Sequence, residues 1–363
     1  MFTQGRTQVA NVHIDERVRQ ILTWTRRRLV WLLLGTYVLG ALVPEPGLRA
    51  RAGDLAAVSL AGGSVSVSVP VAMLGLLLIV AGLSTNVEEF KRLFHTPAVL
   101  ASGVAVNAVY PILFAVAASV LLARWPETDE TQSILAGLAI IGAMPIAGSS
   151  TAWSQNARGN VALSLALVWL STAMSPLLTP VALESVALVT KGDYSQDLHR
   201  LAHQGASAFV LIAVVVPSVL GLATRLALGR QRTARLLPTL HFVSLIDLLG
   251  LNYLNASAAL PSAVRQPDWD LWAITLAITA TMCVGAFAAG WWIPRLLRAQ
   301  RDDQVSLMFG IGMNNNGSGL VLAAATMAHH QLVLLPLICY NLVQQLVAGL
   351  VDAARRRADR QPS

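Results

Sequence analysis

Three consecutive asparagines, Asn314, Asn315 and Asn316, lie inside an otherwise apolar stretch of the chain. Carboxamides in such a stretch cost free energy unless they face protein, water or a ligand. Glycines at positions 310, 312, 317 and 319 surround them, and glycine both weakens a helix and allows close approach to the backbone. A membrane helix interrupted in this way exposes carbonyls and amides, an arrangement typical of ion or substrate sites in secondary transporters.

A second interruption occurs at Pro145, which removes one backbone hydrogen bond and kinks or breaks a helix. The residues that follow include Ser150 and Thr151, whose hydroxyls suit a hard cation. Alternatively, these hydroxyls bond their own helix and aid packing. We favour a binding site, because the two interruptions fall at corresponding places in the two halves of the chain.

Four further polar residues in apolar stretches are candidates for ion or substrate binding. Ser164 could add a hydroxyl, and Asn107 could be a ligand or could bond a neighbouring helix. Asp247 is the one acidic residue of the 19 that lies clearly within a predicted span. It could carry a proton, supply charge for a cation, or join helices as a hydrogen-bonded group. Asn255 falls in the same broad helical stripe.

Other polar side chains have simpler interpretations. Asn341, Gln344 and Gln345 could line a cavity, but we favour hydrogen bonds to neighbouring helices. His329 and His330 are adjacent and so do not share one helical face. We therefore predict no metal site other than one for Na⁺.

The composition indicates what positions these residues. The 363 residues are 55% hydrophobic and 12% charged, with mean hydropathy +0.59, whereas soluble domains carry about 25% charged residues. This predicts an all-α polytopic membrane protein whose partner is the lipid bilayer. We predict about ten transmembrane helices, at 29–43, 67–83, 98–122, 133–154, 161–183, 206–226, 236–260, 271–293, 306–327 and 332–351.

Lysines and arginines test this layout. The loops and tails on the N-terminal side hold 20 of them, and the opposite loops hold 6. That asymmetry predicts a multi-pass protein of the cell inner (plasma) membrane with both termini cytoplasmic. It also explains the basic pI without nucleic acid as a partner. Ten spans divide into a five-plus-five inverted repeat: a basic tail (1–28), a first repeat (29–183), an extracytoplasmic loop (184–205), a second repeat (206–351) and a basic tail (352–363).

Motifs of soluble enzymes are absent from the sequence, including a Walker A loop, HExxH and GxSxG. We therefore predict that the protein is not an enzyme and has no cofactor. Because no nucleotide site is present, transport would draw its energy from an ion gradient.

Several stretches resemble the bile acid:sodium symporter family. The segment from Met144-Pro145 to Ser164 and the run Ser175–Pro180 are similar to its fourth- and fifth-span signatures. Residues 310–315 are similar to its ninth-span motif, and residues 81–84 with 90–92 and Pro97 to the end of its second span. Together these matches cover roughly residues 70–350.

The resemblance implies a ten-helix inverted repeat with core and panel domains, in which two broken helices cross. It also implies two sodium ions near the crossing and an organic anion between core and panel. By position, Ser150 and Thr151 match the fourth-span sodium ligands, and Ser164 matches a fifth-span hydroxyl ligand. Asn314 matches the ninth-span glutamine ligand, and Asn315 its adjacent asparagine.

Three ligand positions differ from the family pattern. Gly310 stands where the family has the glutamate shared by both sodium sites, Val168 replaces a threonine, and Val106 replaces a glutamine. Two sodium ions without that carboxylate would be costly to bury. We therefore predict secondary transport of a small organic anion, coupled to Na⁺ through a reduced site or to H⁺. Asp247, Asn107, Asn255 and Asn316 are the candidates for substrate binding or coupling. The alternative is an uncoupled facilitator or sensor on the same fold.

Overall fold

The structure is a computed structural model that describes residues 28, 31–60, 63–85, 97–265 and 267–358. The N-terminal tail (apart from residue 28), the 90–92 motif and the last five residues lie outside the described residues. In the described part, fourteen α-helices account for most of the chain, as the apolar composition predicts.

The helices are, in chain order, α1 (Trp31–Leu42), α2 (Glu45–Arg51), α3 (Val69–Ser84), α4 (Pro97–Leu122), α5 (Thr128–Ala143), α6 (Ser149–Asn156), α7 (Val161–Ala187), α8 (Gly192–Gln204), α9 (Ala206–Val210), α10 (Val216–Arg265), α11 (Trp269–Leu296), α12 (Arg301–Gly312), α13 (Asn316–Thr326) and α14 (Leu334–Ala358). A π-helical turn (Leu211–Val215) links α9 to α10, and a 3₁₀ turn (Gln331–Val333) precedes α14.

Five helical stretches in the described part are long and apolar enough to cross a membrane, and there are six if the bent pair α1–α2 counts as one span. The five are Pro97–Leu122, Val161–Ala187, Ala206–Pro261, Trp269–Leu296 and Gln331–Arg355. The protein is therefore an integral membrane protein rich in α-helix. The stretches predicted at 133–154 and 306–327 are each divided into two short helices, which is why neither counts as a single long one.

The segment between the first two predicted spans differs from a purely helical fold. The chain bends by 90° between α1 and α2, at a point that includes Pro44. It then forms an antiparallel hairpin of β1 (Asp54–Leu60) and β2 (Gly63–Ser68). Serine and valine alternate along β2, which is the period of a strand. The all-α prediction missed this hairpin.

Two other segments differ from the sequence-based layout. The segment predicted as a loop at 184–205 contains the amphipathic helix α8. The predicted loop between 226 and 236 is reduced to one non-helical residue, Gly229, at φ 72° and ψ 167°. Glycine tolerates this conformation at little cost, so the chain turns there while both flanks remain helical.

The helices pack in two groups. In the first, α10 packs along α3 and against α2, and an added Cβ at Gly40 of α1 would meet Ala256 of α10 at 2.6 Å. In the second, α4, α5 and α7 pack together, and α11 packs on α12 and α14. We call these the α10 group and the α11 group. The broken pairs α5–α6 and α12–α13 belong to the α11 group.

Candidate functional site

The two helix breaks meet inside the α11 group. Helix α5 ends at Ala143 and α6 begins at Ser149, while α12 ends at Gly312 and α13 begins at Asn316. The extended residues between them form an antiparallel bridge that pairs Ile146 with Asn314. We call this bridge and the helix ends around it the crossing. The interruptions predicted in both halves of the chain are therefore present and in contact.

Backbone hydrogen bonds hold the two breaks together. The N–H of Ala147 donates to the Met313 carbonyl at 2.9 Å, and the N–H of Asn315 donates to the Pro145 carbonyl at 2.8 Å. The N–H of Ile146 donates to the hydroxyl of Ser171 at 3.1 Å. These bonds satisfy backbone groups that the broken helices could not satisfy themselves.

Asn314 forms hydrogen bonds to three other helices at the crossing. Its side-chain Nδ2 donates to the Ile141 carbonyl at 3.0 Å, and its Oδ1 accepts from Nδ2 of Asn107 at 2.8 Å. Its backbone N–H donates to Oε1 of Gln344 at 3.2 Å, and its carbonyl accepts from Nε2 of Gln344 at 3.3 Å. Both side-chain atoms of Asn314 are thus already paired. Nδ2 of Asn107 thus takes part in a hydrogen bond between helices.

The other two asparagines differ sharply from each other. Oδ1 of Asn315 accepts from the Ser318 N–H at 3.3 Å, so Asn315 caps α13. Asn316 is 1% exposed, and neither of its side-chain polar atoms has a hydrogen-bond partner within the described part of the chain.

Two nearby hydroxyls share this property. Oγ of Ser150, in the first turn of α6, and Oγ of Ser318, in the first turn of α13, are both buried and lack partners among the described residues. A buried polar atom without a partner costs about 1–3 kcal/mol. Several such atoms at the first turns of two half-helices indicate a place for an ion, a polar ligand or water.

Hydroxyls predicted from spans four and five also come together. Oγ of Ser164, which is fully buried, donates to Oγ1 of Thr151 at 3.2 Å. Ser164 lies in the first turn of α7, where Asn160 caps the helix by accepting from the Leu163 N–H at 3.1 Å. Thr151 and Ser164 therefore form a hydroxyl pair, and Ser150 adjoins Thr151 in sequence.

The positions that depart from the family pattern share one apolar surrounding. A Cβ on Gly310 would lie 3.0 Å from Cδ1 of Leu167 and 4.0 Å from Cδ1 of Ile146. Those two residues belong to a buried apolar cluster, against which Val106 and Val168 also pack. Hydrocarbon therefore lines the place where the family carries a glutamate, a threonine and a glutamine.

A cleft of about 140 Å³ opens beside the first break. It is lined chiefly by apolar groups, with Asn107, Ser171 and Ser175 as its polar members and Pro145 at its edge. Sites for drug-sized ligands usually exceed about 300 Å³, so in this conformation the cleft admits only a small group.

Asp247 and Asn255 lie on α10, outside the α11 group. Asp247 is 8% exposed, and its Oδ2 has no partner among the described residues. Oδ1 of Asn255 accepts from Nη1 of Arg51 at 3.0 Å, so its known partner is at the end of α2. The described hydrogen bonds do not join either residue to the crossing.

Sequence reasoning missed a chain of hydrogen bonds that leads to the crossing. The hydroxyl of Tyr37 donates to Oδ1 of Asn252 at 2.8 Å, and Nδ2 of Asn341 donates to the Tyr37 hydroxyl at 2.8 Å. Nε2 of Gln344 donates to Oδ1 of Asn341 at 3.4 Å and also holds Asn314. Helix-to-helix bonding by the amides of α14 is confirmed, whereas no pattern in the sequence singled out Tyr37.

Comparison with known proteins agrees with this architecture. The chain is 26% identical to the protein YbaS of Bacillus subtilis (strain 168) over 77% of this chain and 86% of that protein. It is 23% identical to the sodium-dependent transporter YocS of the same organism, over 69% and 72% of the two chains. It is also 23% identical to the probable chloroplastic sodium/metabolite cotransporter BASS2 of Oryza sativa subsp. japonica, over 81% and 62%.

Residues 71–265, more than half of the chain, match the model of the Sodium Bile acid symporter family, and this region contains the first break, the hydroxyl pair and the valines that replace polar ligands. The protein is a member of the sodium bile acid symporter family.

Proposed function

We propose that the protein is a secondary active transporter that carries a small organic anion by alternating access. In this proposal ten spans form a five-plus-five inverted repeat, the α11 group is the core domain and the α10 group is the panel domain. The protein lies in the cell inner membrane with both termini in the cytoplasm. Membership of the family and the names of two relatives, a sodium-dependent transporter and a sodium/metabolite cotransporter, support this function.

One observation carries the proposal, namely the buried polar side-chain atoms of Asn316 and Ser318 at the crossing, which lack hydrogen-bond partners among the described residues. Both half-helices α6 and α13 begin there, so their N-terminal N–H groups and positive dipole ends are directed to the same region. That arrangement favours an anion such as a carboxylate or a sulfonate. Asn316 can donate and accept hydrogen bonds, which suits recognition of a polar anion.

The coupling ion is Na⁺ in a reduced site formed by Ser150, Thr151 and Ser164. These hydroxyls suit a hard cation, whereas the apolar cluster around Gly310 leaves no room for the second, carboxylate-dependent part of the family's site. A Na⁺ concentration ten times its dissociation constant stabilises a protein by about 1.4 kcal/mol. Thermal unfolding in Na⁺ and in K⁺ at equal ionic strength therefore tests the site directly.

Uptake into liposomes tests the proposal as a whole. Purified protein is reconstituted and supplied with a labelled 2-keto acid or an aliphatic sulfonate under an inward Na⁺ gradient, an inward H⁺ gradient or neither. We expect concentrative uptake of at least one anion under the Na⁺ gradient. Asn316→Ala should lower uptake at least about tenfold, because it removes hydrogen bonds of about 1.5–3 kcal/mol to a charged ligand. Thr281→Ala, which changes an exposed side chain, is the matched control.

Coupling to H⁺ is a second candidate, because Asp247 is buried and its Oδ2 has no hydrogen-bond partner in the described part of the chain. Asp247→Asn keeps the size of the side chain and abolishes its titration. If protons drive uptake through this residue, the variant loses the response to an H⁺ gradient and keeps equilibrative exchange. Unchanged H⁺-driven uptake by Asp247→Asn rules this route out.

An uncoupled facilitator or sensor is the alternative function. It is favoured by the hydrocarbon that surrounds Gly310, since the protein lacks the carboxylate that would pay the cost of burying cations. Uptake that equilibrates but never concentrates under any gradient would indicate a facilitator. Saturable anion binding without any uptake would indicate a sensor.

A further inference from the structure

Three side chains capable of binding a metal meet at the α8 end of the molecule, outside the proposed transport site. Asp197 lies in α8, and His329 and His330 lie in the turn between α13 and α14. Nε2 of His329 is 2.7 Å from Oδ2 of Asp197, and Nε2 of His330 is 3.4 Å from the same oxygen. All three ligand atoms lie within 4.8 Å of one another.

Neighbouring groups hold this triad in place. Asp197 is 9% exposed, and Nη1 of Arg200 donates to its Oδ1 at 2.9 Å, which leaves Oδ2 directed at the histidines. The ring of His330 stacks on Tyr194 with 3.9 Å between centroids. Tyr194 in turn donates to Oδ1 of Asp129 at 2.8 Å. Metal ligands are commonly oriented by such outer contacts.

His330 supplies the observation that points to a ligand. Its Nε2 is buried and has no hydrogen-bond partner in the described part of the chain, although Oδ2 of Asp197 is 3.4 Å away. The nitrogen faces the carboxylate without the geometry of a hydrogen bond. A buried ring nitrogen in this position is explained if an ion lies between the two atoms.

The two histidines do not lie on a helix, where adjacent residues would point in different directions. They lie in a non-helical turn, and their ring centroids are 4.2 Å apart. Both rings can therefore face Asp197.

We infer that Asp197, His329 and His330 bind one divalent transition-metal ion of the zinc class, with water completing the coordination. Ligand distances of about 2.0–2.2 Å in a tetrahedral site place ligand atoms about 3.3 Å apart. The His330 contact already has this spacing. The contact to His329 must open by about 0.6 Å, and the His329 ring is 59% exposed and can move.

The ligand set selects the class of ion. Two imidazole nitrogens and one carboxylate suit Zn²⁺ and its neighbours, whereas Ca²⁺ and Mg²⁺ prefer oxygen ligands. Asp197 and the histidines are more than 130 residues apart in the chain. A bound ion would therefore join α8 to the turn that follows the half-helix α13, and it would stabilise that end of the molecule.

A second triad, formed by one residue of α7 and two of α8, provides an internal control. Glu184, His199 and His203 also place three ligand atoms within 4.8 Å. Their side chains are 34%, 60% and 59% exposed, and Nδ1 of His199 is already 2.8 Å from Oε2 of Glu184. A surface hydrogen bond accounts for these contacts. Among the described residues, none of these three side chains has a buried nitrogen without a partner, as His330 does.

Zn²⁺ binding to the full-length, untagged protein tests the inference. Protein stripped with a chelator is titrated with Zn²⁺ by calorimetry, and Co²⁺ absorption reports a four-coordinate site. We expect one ion per chain and a higher unfolding temperature with Zn²⁺. His329→Gln and His330→Phe should each raise the dissociation constant at least about tenfold. His330→Phe keeps an aromatic ring on Tyr194, and His329→Gln changes an exposed side chain, so both should fold.

The control is the pair His199→Gln and His203→Gln, which should leave the dissociation constant unchanged. Retention of the metal-free unfolding temperature by His329→Gln confirms that its fold is intact. The inference is overturned if the wild-type protein shows no saturable Zn²⁺ binding. It is also overturned if binding survives in His329→Gln and His330→Phe, or if it is lost in the His199 and His203 variants.

Discussion

At the scale of single residues, the hydrogen bond between Asn107 and Asn314 carries much of the order at the crossing. The bond is buried, and Asn314 also holds the carbonyl at the end of α5 through Ile141. We expect Asn107→Leu to lower the free energy of unfolding by about 1–3 kcal/mol, because it leaves Oδ1 of Asn314 without a partner. Chemical unfolding in detergent measures this change.

A double-mutant cycle provides the control for that prediction. If Asn107 and Asn314 act as a pair, the losses of Asn107→Leu and Asn314→Leu will not add, and the double variant will lose less than their sum. The exposed Thr281→Ala should change the free energy of unfolding by no more than about 0.5 kcal/mol. Additive losses would show that the two side chains act independently.

At the scale of elements, the second break depends on small residues at fixed places. A Cβ on Gly312 would fall on the ring of Phe287, which is 4% exposed and packs edge-on against Phe309. We expect Gly312→Ala to destabilise the protein by about 1–3 kcal/mol through overpacking. Gly317→Ala, in the first turn of α13, is the matched control. The atom nearest to its added Cβ would be Oδ1 of Asn315, at an ordinary contact distance of 3.6 Å.

Gly317→Ala should be neutral or stabilising by up to about 1 kcal/mol, because alanine favours helix. Thermal unfolding of both glycine variants measures the difference. If Gly312→Ala were as stable as Gly317→Ala, close packing of α12 on α11 would not be what requires glycine at position 312.

The first turn of α5 predicts a dependence of stability on pH. Burial raises the pKa of the Glu130 carboxyl, the indole N–H of Trp125 partly opposes this, and the charge of Asp268 adds to it. The folded state thus favours protonated Glu130. The contribution of Glu130 to the free energy of unfolding is fully present below the ordinary pKa of glutamate, about 4.3. It is lost as the pH rises through the raised pKa of the folded state.

Glu130→Gln should remove this part of the pH dependence while keeping an acceptor for Trp125. Thermal unfolding across pH 4 to 8 should therefore show wild-type stability falling relative to Glu130→Gln as pH rises, over roughly the range in which a buried carboxyl titrates. Glu45→Gln, which changes an exposed side chain on α2, should follow the wild-type curve. Parallel curves for wild type and Glu130→Gln would contradict the prediction.

The elements also show what could be predicted from sequence. Pro145 and the glycines around Asn314 predict both breaks, since their effect on a helix is local. The turn at Gly229 and the pairing of Tyr37 with Asn252 are harder. The pairing depends on which distant helix lies opposite, and neither feature leaves a periodic pattern. The β2 strand does leave a periodic pattern, in its alternating serines and valines. This pattern is short, and the apolar stretch that follows it dominates a prediction based on hydropathy.

The residues of the candidate site likewise divide into those that local motifs predict and those that only packing reveals. Asn315 and Ser164 lie near the crossing, as their positions in the motifs predict, but each also has a local hydrogen-bonding role. The unpaired state of Asn316 could not be predicted, because it depends on the partners that the fold fails to supply. Motif spacing therefore identifies the region, and only the packing shows which side chains are already engaged.

At the scale of the whole molecule, the proposed alternating access requires the α10 and α11 groups to move against each other. Nδ2 of Asn341 crosses between them, donating to the Tyr37 hydroxyl at 2.8 Å and to Oδ1 of Asn252 at 3.3 Å. These bonds favour the present conformation. Tyr37→Phe removes the shorter of these two hydrogen bonds. The net free energy of one hydrogen bond, about 0.5–1.5 kcal/mol, shifts the equilibrium between two conformations by up to about tenfold.

Spin labels at Leu55 in the hairpin and Leu188 just after α7, both exposed, would report the distance between the groups. The two free cysteines, Cys283 and Cys339, are buried and so should not react with the label. We expect Tyr37→Phe to populate a second distance. Tyr253→Phe is the matched control: its hydroxyl donates to the Val43 carbonyl beside α1, so that bond does not reach the α11 group. Identical distance distributions in wild type and Tyr37→Phe would mean that this contact does not bias the conformational equilibrium. A shift in both variants would point instead to the packing of α1 on α10.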